Sequence, residues 1–251
     1  MTYNILISGS TKGLGRAFVA KYLSRPNTTV VATVRDPSTQ EAQALHSISK
    51  AEGSNLIVVK IESRSDTDCI SAVNFLHDQG ISHLDVVIAN AGFYTVPKEP
   101  AVAKITAEEL LDHVNVNAAG PVRLFQATLP LLNAAEKPIF VYISSMAGSI
   151  AATGDLPFGV GVYGASKAAG NFLVRRIHQE NPELIAFAMH PGAVKTEGGL
   201  VVSGDLGMLQ YEEFFTTLEK SINGMVGKID NATRENSSGK FLCFDDTPLE
   251  W

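Results

Sequence analysis

Short apolar runs alternate along the chain with longer stretches in which apolar residues recur every third or fourth place. Tyr3 to Ser8, Thr28 to Val34, Leu56 to Ile61, Leu84 to Ala89, Ile139 to Ser144 and Leu184 to Met189 are apolar runs of strand length. Runs of this kind predict strands buried on both sides rather than strands with one wet face. Between them, Arg16 to Leu23, Ser38 to Glu52 and Asp66 to Gly80 read as helices, the last with Ile70, Val73, Phe75 and Leu76 as its apolar side. A long helix is predicted from Thr106, where Thr106-x-x-Glu109 has the reciprocal pattern that satisfies the free N–H groups of a helix start. It continues through Leu110, Val114, Val122, Phe125 and Leu129, with Pro130 near its end. A further helix carries Phe172, Leu173, Val174 and Ile177, and Phe241 to Phe244 predicts a last strand. Alternation of this kind calls for an α/β fold, a doubly wound parallel sheet of about seven strands with helices on both faces. No linker-like stretch, repeat or low-complexity tract interrupts it, so residues 1–251 are read as a single domain.

Composition narrows the class. The chain has 251 residues, 45% of them apolar, a formal charge of -6 and no basic cluster. That is enough for a large core, and it argues against a nucleic-acid partner. Cys69 and Cys243 lie far apart with no partners at metal-ligand spacing, so neither a disulfide framework nor a metal site is expected. The chain opens straight into an apolar strand without a charged leader or an apolar run of membrane length. A cytoplasmic protein with no membrane partner is the expectation.

The chemistry begins with Gly9-Ser10-Thr11-Lys12-Gly13-Leu14-Gly15, set between the first strand and the first helix. Glycines there let the backbone turn sharply and approach a pyrophosphate, while the N–H groups of the helix start face the anion. At the end of the second strand, where such folds bind the adenosine ribose, stands Arg35, followed by Asp36 and Pro37. Arg35 and Lys12 offer two cations to a 2′-phosphate and predict NADP(H); Asp36 is the competing reading, and would take a bare ribose. Asn90-Ala91-Gly92, Ser144-Ser145 and Pro191-Gly192 each follow a strand, so all converge on the rim where open parallel sheets bind ligands. On the same rim starts a helix bearing Tyr163 and Lys167, four residues apart and therefore on one face. A lysine ammonium beside a phenol pulls its pKa down from about 10, which would fit Tyr163 for proton transfer at a carbonyl.

In this order, Gly9-x-x-x-Gly13-x-Gly15, Asn90-Ala91-Gly92, Asn117-Ala118-Ala119-Gly120, Ser145, Tyr163-x-x-x-Lys167 and Pro191-Gly192-Ala193-Val194-Lys195-Thr196 resemble the short-chain dehydrogenase/reductase family. The resemblance spans about residues 3 to 196 and implies a Rossmann-type fold. Softer features, Ala32-Thr33-Val34-Arg35-Asp36-Pro37 and Ser238-Gly239-Lys240-Phe241-Leu242, are similar to fungal and C-factor-type NADPH-dependent ketoreductases, including those acting on norsolorinic acid. The resemblance implies Tyr163 as acid/base, Lys167 as its partner and holder of the nicotinamide ribose, and Ser145 as hydrogen-bond donor to the substrate oxygen, with Ser144 ranked second. Asn117 is implied to hold a water of the proton relay, with Asn115 as a nearby competitor. Thr196 and the backbone after Pro191, through Val194, would fix the nicotinamide carboxamide. Glu62 stands where the family usually has an aspartate near the adenine. A homodimer or homotetramer built through the long helices is also implied.

Together these readings predict reduction of a ketone or aldehyde, a small-molecule carbonyl, with NADPH. Phe93, Tyr94, Phe158 and Phe214 are expected to make the pocket apolar or aromatic. Asp155-Leu156-Pro157-Phe158-Gly159 is expected as a substrate-facing wall, and residues 197–226, rich in glycine at first, as a lid. His190, beside Pro191, reads as a structural histidine. Two other readings use the same residues: a non-catalytic NADP(H)-binding sensor or scaffold, and an enzyme of this fold with other chemistry, such as dehydration or epimerisation.

Overall fold

The computed structural model describes residues 2–95, 101–155, 160–205 and 215–251. Its strands are β1 (Tyr3–Ile7), β2 (Thr28–Val34), β3 (Asn55–Lys60), β4 (Val86–Ala89), β5 (Ile139–Ile143), β6 (Ile185–His190), β7 (Ala193–Val194), β8 (Phe215–Thr216) and β9 (Phe241–Cys243). The helices are α1 (Gly13–Leu23), α2 (Gln40–Gln43), α3 (Asp68–Asp78), α4 (Ala107–Val114), α5 (Gly120–Asn133), α6 (Gly161–Glu180), α7 (Glu197–Asp205) and α8 (Leu218–Asp230). Seven strands form one sheet in the order β3-β2-β1-β4-β5-β6-β9, every pair parallel.

All residues of β2, β4 and β5 are buried, which is why these strands read as continuous apolar runs. Successive side chains still divide between the faces. Ile5 and Ile7 join the core under α1 and α8, with Phe18, Tyr22, Ile222 and Met225; Leu6 joins the opposite core, with Leu76, Leu124, Phe140 and Val174. The chain reverses its direction of winding between β3 and β4, leaving β1 and β4 as neighbours. A crevice opens beyond the carboxyl ends of strands at such a switch point. The glycine loop and Asn90 both lie there.

The structure corrects several predicted elements. Ser38 to Glu52 is not one helix: Thr39 caps only Gln40–Gln43, a 3-10 turn follows over Ala44–Ser47, and Ile48 is extended. Ser47 bonds back to Ala44 O, a local competitor to helical bonding. In α3 the buried stripe is Cys69, Ala72, Val73 and Leu76, so Phe75 and Ile70 lie off it and are exposed. The reciprocal cap of Thr106 and Glu109 is present, but the long helix is interrupted. Asn115–Ala119 forms a π-helical turn between α4 and α5, a departure often found at functional sites. The short pair β7 and β8 is a further element absent from the sequence-based expectation.

Of the stretch expected as a lid, residues 197–205 form α7, residues 206–214 lie outside the described residues, and 218–226 open α8. Ile222, Met225 and Val226 of that helix are core residues.

Candidate active site

The glycine loop is held from across the switch point. Ser8 Oγ accepts from the N–H groups of Asn90 (3.0 Å) and Ala91 (2.9 Å), and Asn90 Nδ2 donates to the oxygens of Ser8 (2.8 Å) and Gly9 (3.3 Å). Asn90 thus shapes the loop. Gly9 has φ +69°, and a Cβ there would meet Ala91 Cα at 2.9 Å; a Cβ on Gly15 would lie 2.1 Å from Gly9 O. The close approach of these segments therefore demands glycine. The start of α1 has no side-chain cap and no acidic residue in its first turn, and Leu14 packs against the core. Its N–H groups are a ready cradle for an anion. A Cβ on Gly13 would lie 3.7 Å from Thr196 Cγ2, which places Thr196 over the loop.

Lys12 and Arg35 are exposed, while Asp36 is bound into its own turn. The Asp36 carboxylate accepts from Ser38 N (2.8 Å) and Ser38 Oγ (2.7 Å), and these bonds hold its pKa below the ordinary value. Glu62 Oε1 accepts from Arg64 N at 3.2 Å and lies 3.6 Å from the Arg64 guanidinium, which forks onto Asp112 at 2.9 and 3.0 Å. Glu62 is therefore tied to Arg64. Thr196 Oγ1 accepts from Gly199 N (3.0 Å) and opens α7, Val194 is buried in β7, and Pro191 O accepts from Ser221 Oγ (2.6 Å).

Tyr163 and Lys167 project from α6 on one face. Lys167, 3% exposed, sends its ammonium to the main-chain oxygen of Ile143 at 2.8 Å. It sits 4.9 Å from the ring centre of Tyr142 and 5.7 Å from that of Tyr163, and burial pushes its pKa down to about 7. Burial also pushes the Tyr163 phenol up to about 12, while a hydrogen bond from Ser145 pulls it down. Ser145 therefore acts on the phenol beside Lys167, the partner expected from the spacing. Ser145 Oγ accepts from Ala147 N at 3.2 Å, which leaves its own proton to be donated.

Asn117 is fully buried in the π turn. Its Oδ1 accepts from Phe93 N (2.7 Å), and its Nδ2 donates to Phe93 O (2.8 Å) and Ser166 Oγ (2.9 Å). Both amide protons are spent within the protein. A Cβ on Gly92 would lie 3.6 Å from Asn117 Oδ1 and 3.7 Å from Lys167 Nζ, so these three positions share one corner. Asn115, the competitor, instead gives its carbonyl to Arg123 at 3.3 Å.

Of the aromatic wall, Tyr94 meets Tyr163 edge-on, with ring centres 5.2 Å apart. Phe93 turns elsewhere, packing 4.8 Å from His113 and under Arg64. Phe158 and Phe214 lie outside the described residues, as do positions 156–159 of the expected wall. His190 Nδ1 accepts from Met146 N at 3.2 Å, and burial pushes its pKa down to about 4, so the neutral ring braces the Ser145 loop.

Four contributors escaped the sequence reading. Ser8 ends a buried strand with a hydroxyl, and Asn171 sits eight residues beyond Tyr163 on the same helix face; both are polar residues in apolar surroundings, which is the signal that could have found them. Tyr142 donates to Asn117 O at 2.8 Å, and Ser166 Oγ donates to Tyr163 O at 2.7 Å; neither carries such a signal.

Comparison with known proteins agrees with this geometry. The sequence matches the family described as short chain dehydrogenase over residues 3–202. It is 43% identical to a short chain dehydrogenase of Penicillium aethiopicum, covering 100% of both chains. It is 38% identical to the norsolorinic acid ketoreductase of Dothistroma septosporum, covering 98% of this chain and 91% of that one. The solved NADPH-bound carbonyl reductase from chicken fatty liver superposes with a TM-score of 0.85 at 28% identity, covering 100% of this chain and 94% of that one. No helix among the described residues is long and apolar enough to cross a membrane. The chain belongs to the short-chain dehydrogenase family and is one of its oxidoreductases.

Proposed function

We propose that the chain reduces a ketone or aldehyde to the alcohol with NADPH, Tyr163 donating the proton. The observation that carries this reading is the meeting of Ser145, Tyr163 and Lys167 in one corner, with Lys167 Nζ 5.7 Å from the centre of the Tyr163 ring and Ser145 near enough to lower the phenol's pKa. The rest of the site fits the cofactor. The open start of α1 and the glycines that no Cβ could replace suit a pyrophosphate, Lys12 and Arg35 suit a 2′-phosphate, and Asp36 is turned onto Ser38. Glu62, Asn90, Ala91, Gly92, Pro191, Val194 and Thr196 would line the remainder of its path. One domain, 1–251, carries both cofactor and substrate.

Bound NADPH supplies a hydride to the carbonyl carbon. Ser145 directs its free proton at the carbonyl oxygen, where negative charge grows in the transition state. Tyr163, held protonated far above neutral pH, is a standing acid for that oxygen. Lys167 places its amine beside the phenolate that Tyr163 becomes once it has given up its proton, and a proton taken from solvent then reforms the phenol. Asn117 keeps Gly92 and Phe93 against α6 and so closes the floor of the corner.

Tyr94 beside Tyr163 favours a flat, apolar carbonyl compound, and the norsolorinic acid ketoreductases among the relatives support an aromatic polyketide. Leu111 on α4 and Phe172 on α6 are exposed on two helices that pack together, which supports a homo-oligomer formed through them. The test is NADPH oxidation over a panel of anthraquinone, simple aromatic and aliphatic ketones. Tyr163→Phe should cost at least about 100-fold. Tight NADPH binding with no turnover on any ketone would refute the reading, as would turnover untouched in Tyr163→Phe.

A further inference from the structure

Asn171 lies on α6 two turns beyond Tyr163 and one beyond Lys167, on the same face of the helix. Only 3% of it is exposed. A buried carboxamide is costly unless both ends are paired, and here both are. Its Oδ1 accepts from the Ser144 hydroxyl at 2.6 Å, and its Nδ2 donates to the main-chain oxygen of Gly148 at 3.1 Å. Ser144 and Gly148 flank Ser145 on either side. One side chain therefore holds the residue before Ser145 and the turn after it.

The segment between those two points lies flat on α6. A Cβ on Gly148 would meet Lys167 Cβ at 2.7 Å, and a Cβ on Gly164 would meet Ala147 O at 2.5 Å. The bonds of Ser145 itself lie within its turn: Gly148 N donates to its carbonyl, Ala147 N to its hydroxyl. Ser144 N and Met146 N tie the loop to β6, through Met189 O and His190 Nδ1, and none of these bonds ties it to α6. The Asn171 amide does, because it is anchored on the same rigid element as Tyr163.

We infer that Asn171 is a positioning residue for the carbonyl chemistry, setting where the Ser145 hydroxyl stands relative to the Tyr163 phenol. The inference rests on the roles proposed above for Ser145 and Tyr163. Asn171 touches neither substrate nor cofactor; it acts through Ser145. Its replacement frees the turn from α6, and the alignment of Ser145 with Tyr163 is lost. The groups that face the phenol from the surrounding elements are Ser145, Tyr94 and, at longer range, Lys167. Of these, Asn171 controls only Ser145.

The experiment compares wild type, Asn171→Ala and Ser144→Ala on a ketone from the panel that the wild type reduces. Asn171→Ala should lower kcat by about 10- to 100-fold, the cost of a misplacement near 1 Å, with the NADPH dissociation constant unchanged by fluorescence titration. The limb of the pH–rate profile belonging to Tyr163 should move to higher pH, because the donor that stabilises the phenolate has gone. A crystal structure of the variant should show Ser145 displaced along α6. Ser144→Ala, which keeps the bond to Gly148, should show a smaller loss in the same direction and serves if Asn171→Ala does not fold. Unchanged kcat and an unmoved pH limb in both variants would overturn the inference, as would Ser145 found in its original place. If the wild type bound NADPH but reduced no ketone, the proposed function would fall, and the position of Ser145 in the variant structure would decide this inference separately.

Discussion

The Lys167 ammonium donates to the main-chain oxygen of Ile143 at 2.8 Å, so the lysine is anchored on the end of β5 rather than on the tyrosine four residues before it. The same strand end leads directly into Ser144 and Ser145. Lys167 is thereby a tie between α6 and the strand that delivers Ser145, as well as a charge near Tyr163.

That placement has a measurable pH signature. Burial pushes Lys167 down to about 7, whereas an unfolded lysine keeps its proton to about 10. Between these values the unfolded chain binds more protons, so folded-state stability rises with pH. From about pH 7 to about 8.5 the gain should be of order 1–2 kcal/mol, read from urea midpoints, and should vanish in Lys167→Met. Higher pH brings in Cys69 and Cys243, pushed up to about 11 by burial; the unfolded thiols then ionise first and the sign reverses. A wild type and variant with parallel profiles would contradict the burial of a chargeable lysine.

Arg35 and Lys12 stand exposed, with Asp36 held away by Ser38. If they bind a 2′-phosphate, Arg35→Ala should raise the KM for NADPH about 10- to 100-fold, the worth of one charge-assisted hydrogen bond. The KM for NADH should hardly change. Equal effects on both cofactors would place Arg35 elsewhere.

Gly170 stands inside α6, where alanine would normally add about 1 kcal/mol of helix propensity. A Cβ at that position would meet the Tyr142 hydroxyl at 2.4 Å and its ring at 2.5 Å. Gly170→Ala should therefore destabilise the protein by about 1–3 kcal/mol in denaturant titration, overpacking exceeding propensity. Stabilisation would mean that Tyr142 is not packed on this helix.

The tail reaches back to the Ser145 loop. Ser149 Oγ donates to Glu250 O at 2.7 Å and Ala151 N to Trp251 O at 3.1 Å, while the indole stacks on Phe241 at 5.5 Å and lies under Arg175. Trp251→Ala should cost about 1–3 kcal/mol of stability, as burial of a partly enclosed aromatic suggests. Amide exchange at Ala151 should accelerate more than in β5. An unchanged exchange rate there would separate the tail from the loop.

The sequence by itself determined the parallel sheet, because strands buried on both faces must read as apolar runs. It determined the glycine loop and the cap at Thr106 as well, since both are local in chain and depend on a backbone that only certain residues allow. It brought Tyr163 and Lys167 to one face through helical spacing alone. The tertiary structure decided the rest. Where Lys167 sends its proton, which residue tempers the phenol and what pins Ser145 depend on partners brought together by sheet order: Ile143 to Lys167, Ser144 and Gly148 to Asn171, Glu250 to Ser149. The π turn at Asn115–Ala119 belongs to the same class, for Tyr142 of β5, Phe93 after β4 and Ser166 of α6 all bond to Asn117 within it. Local propensity sees an unbroken helix there; only the packed strands supply the hydrogen-bond partners that hold the backbone open to them.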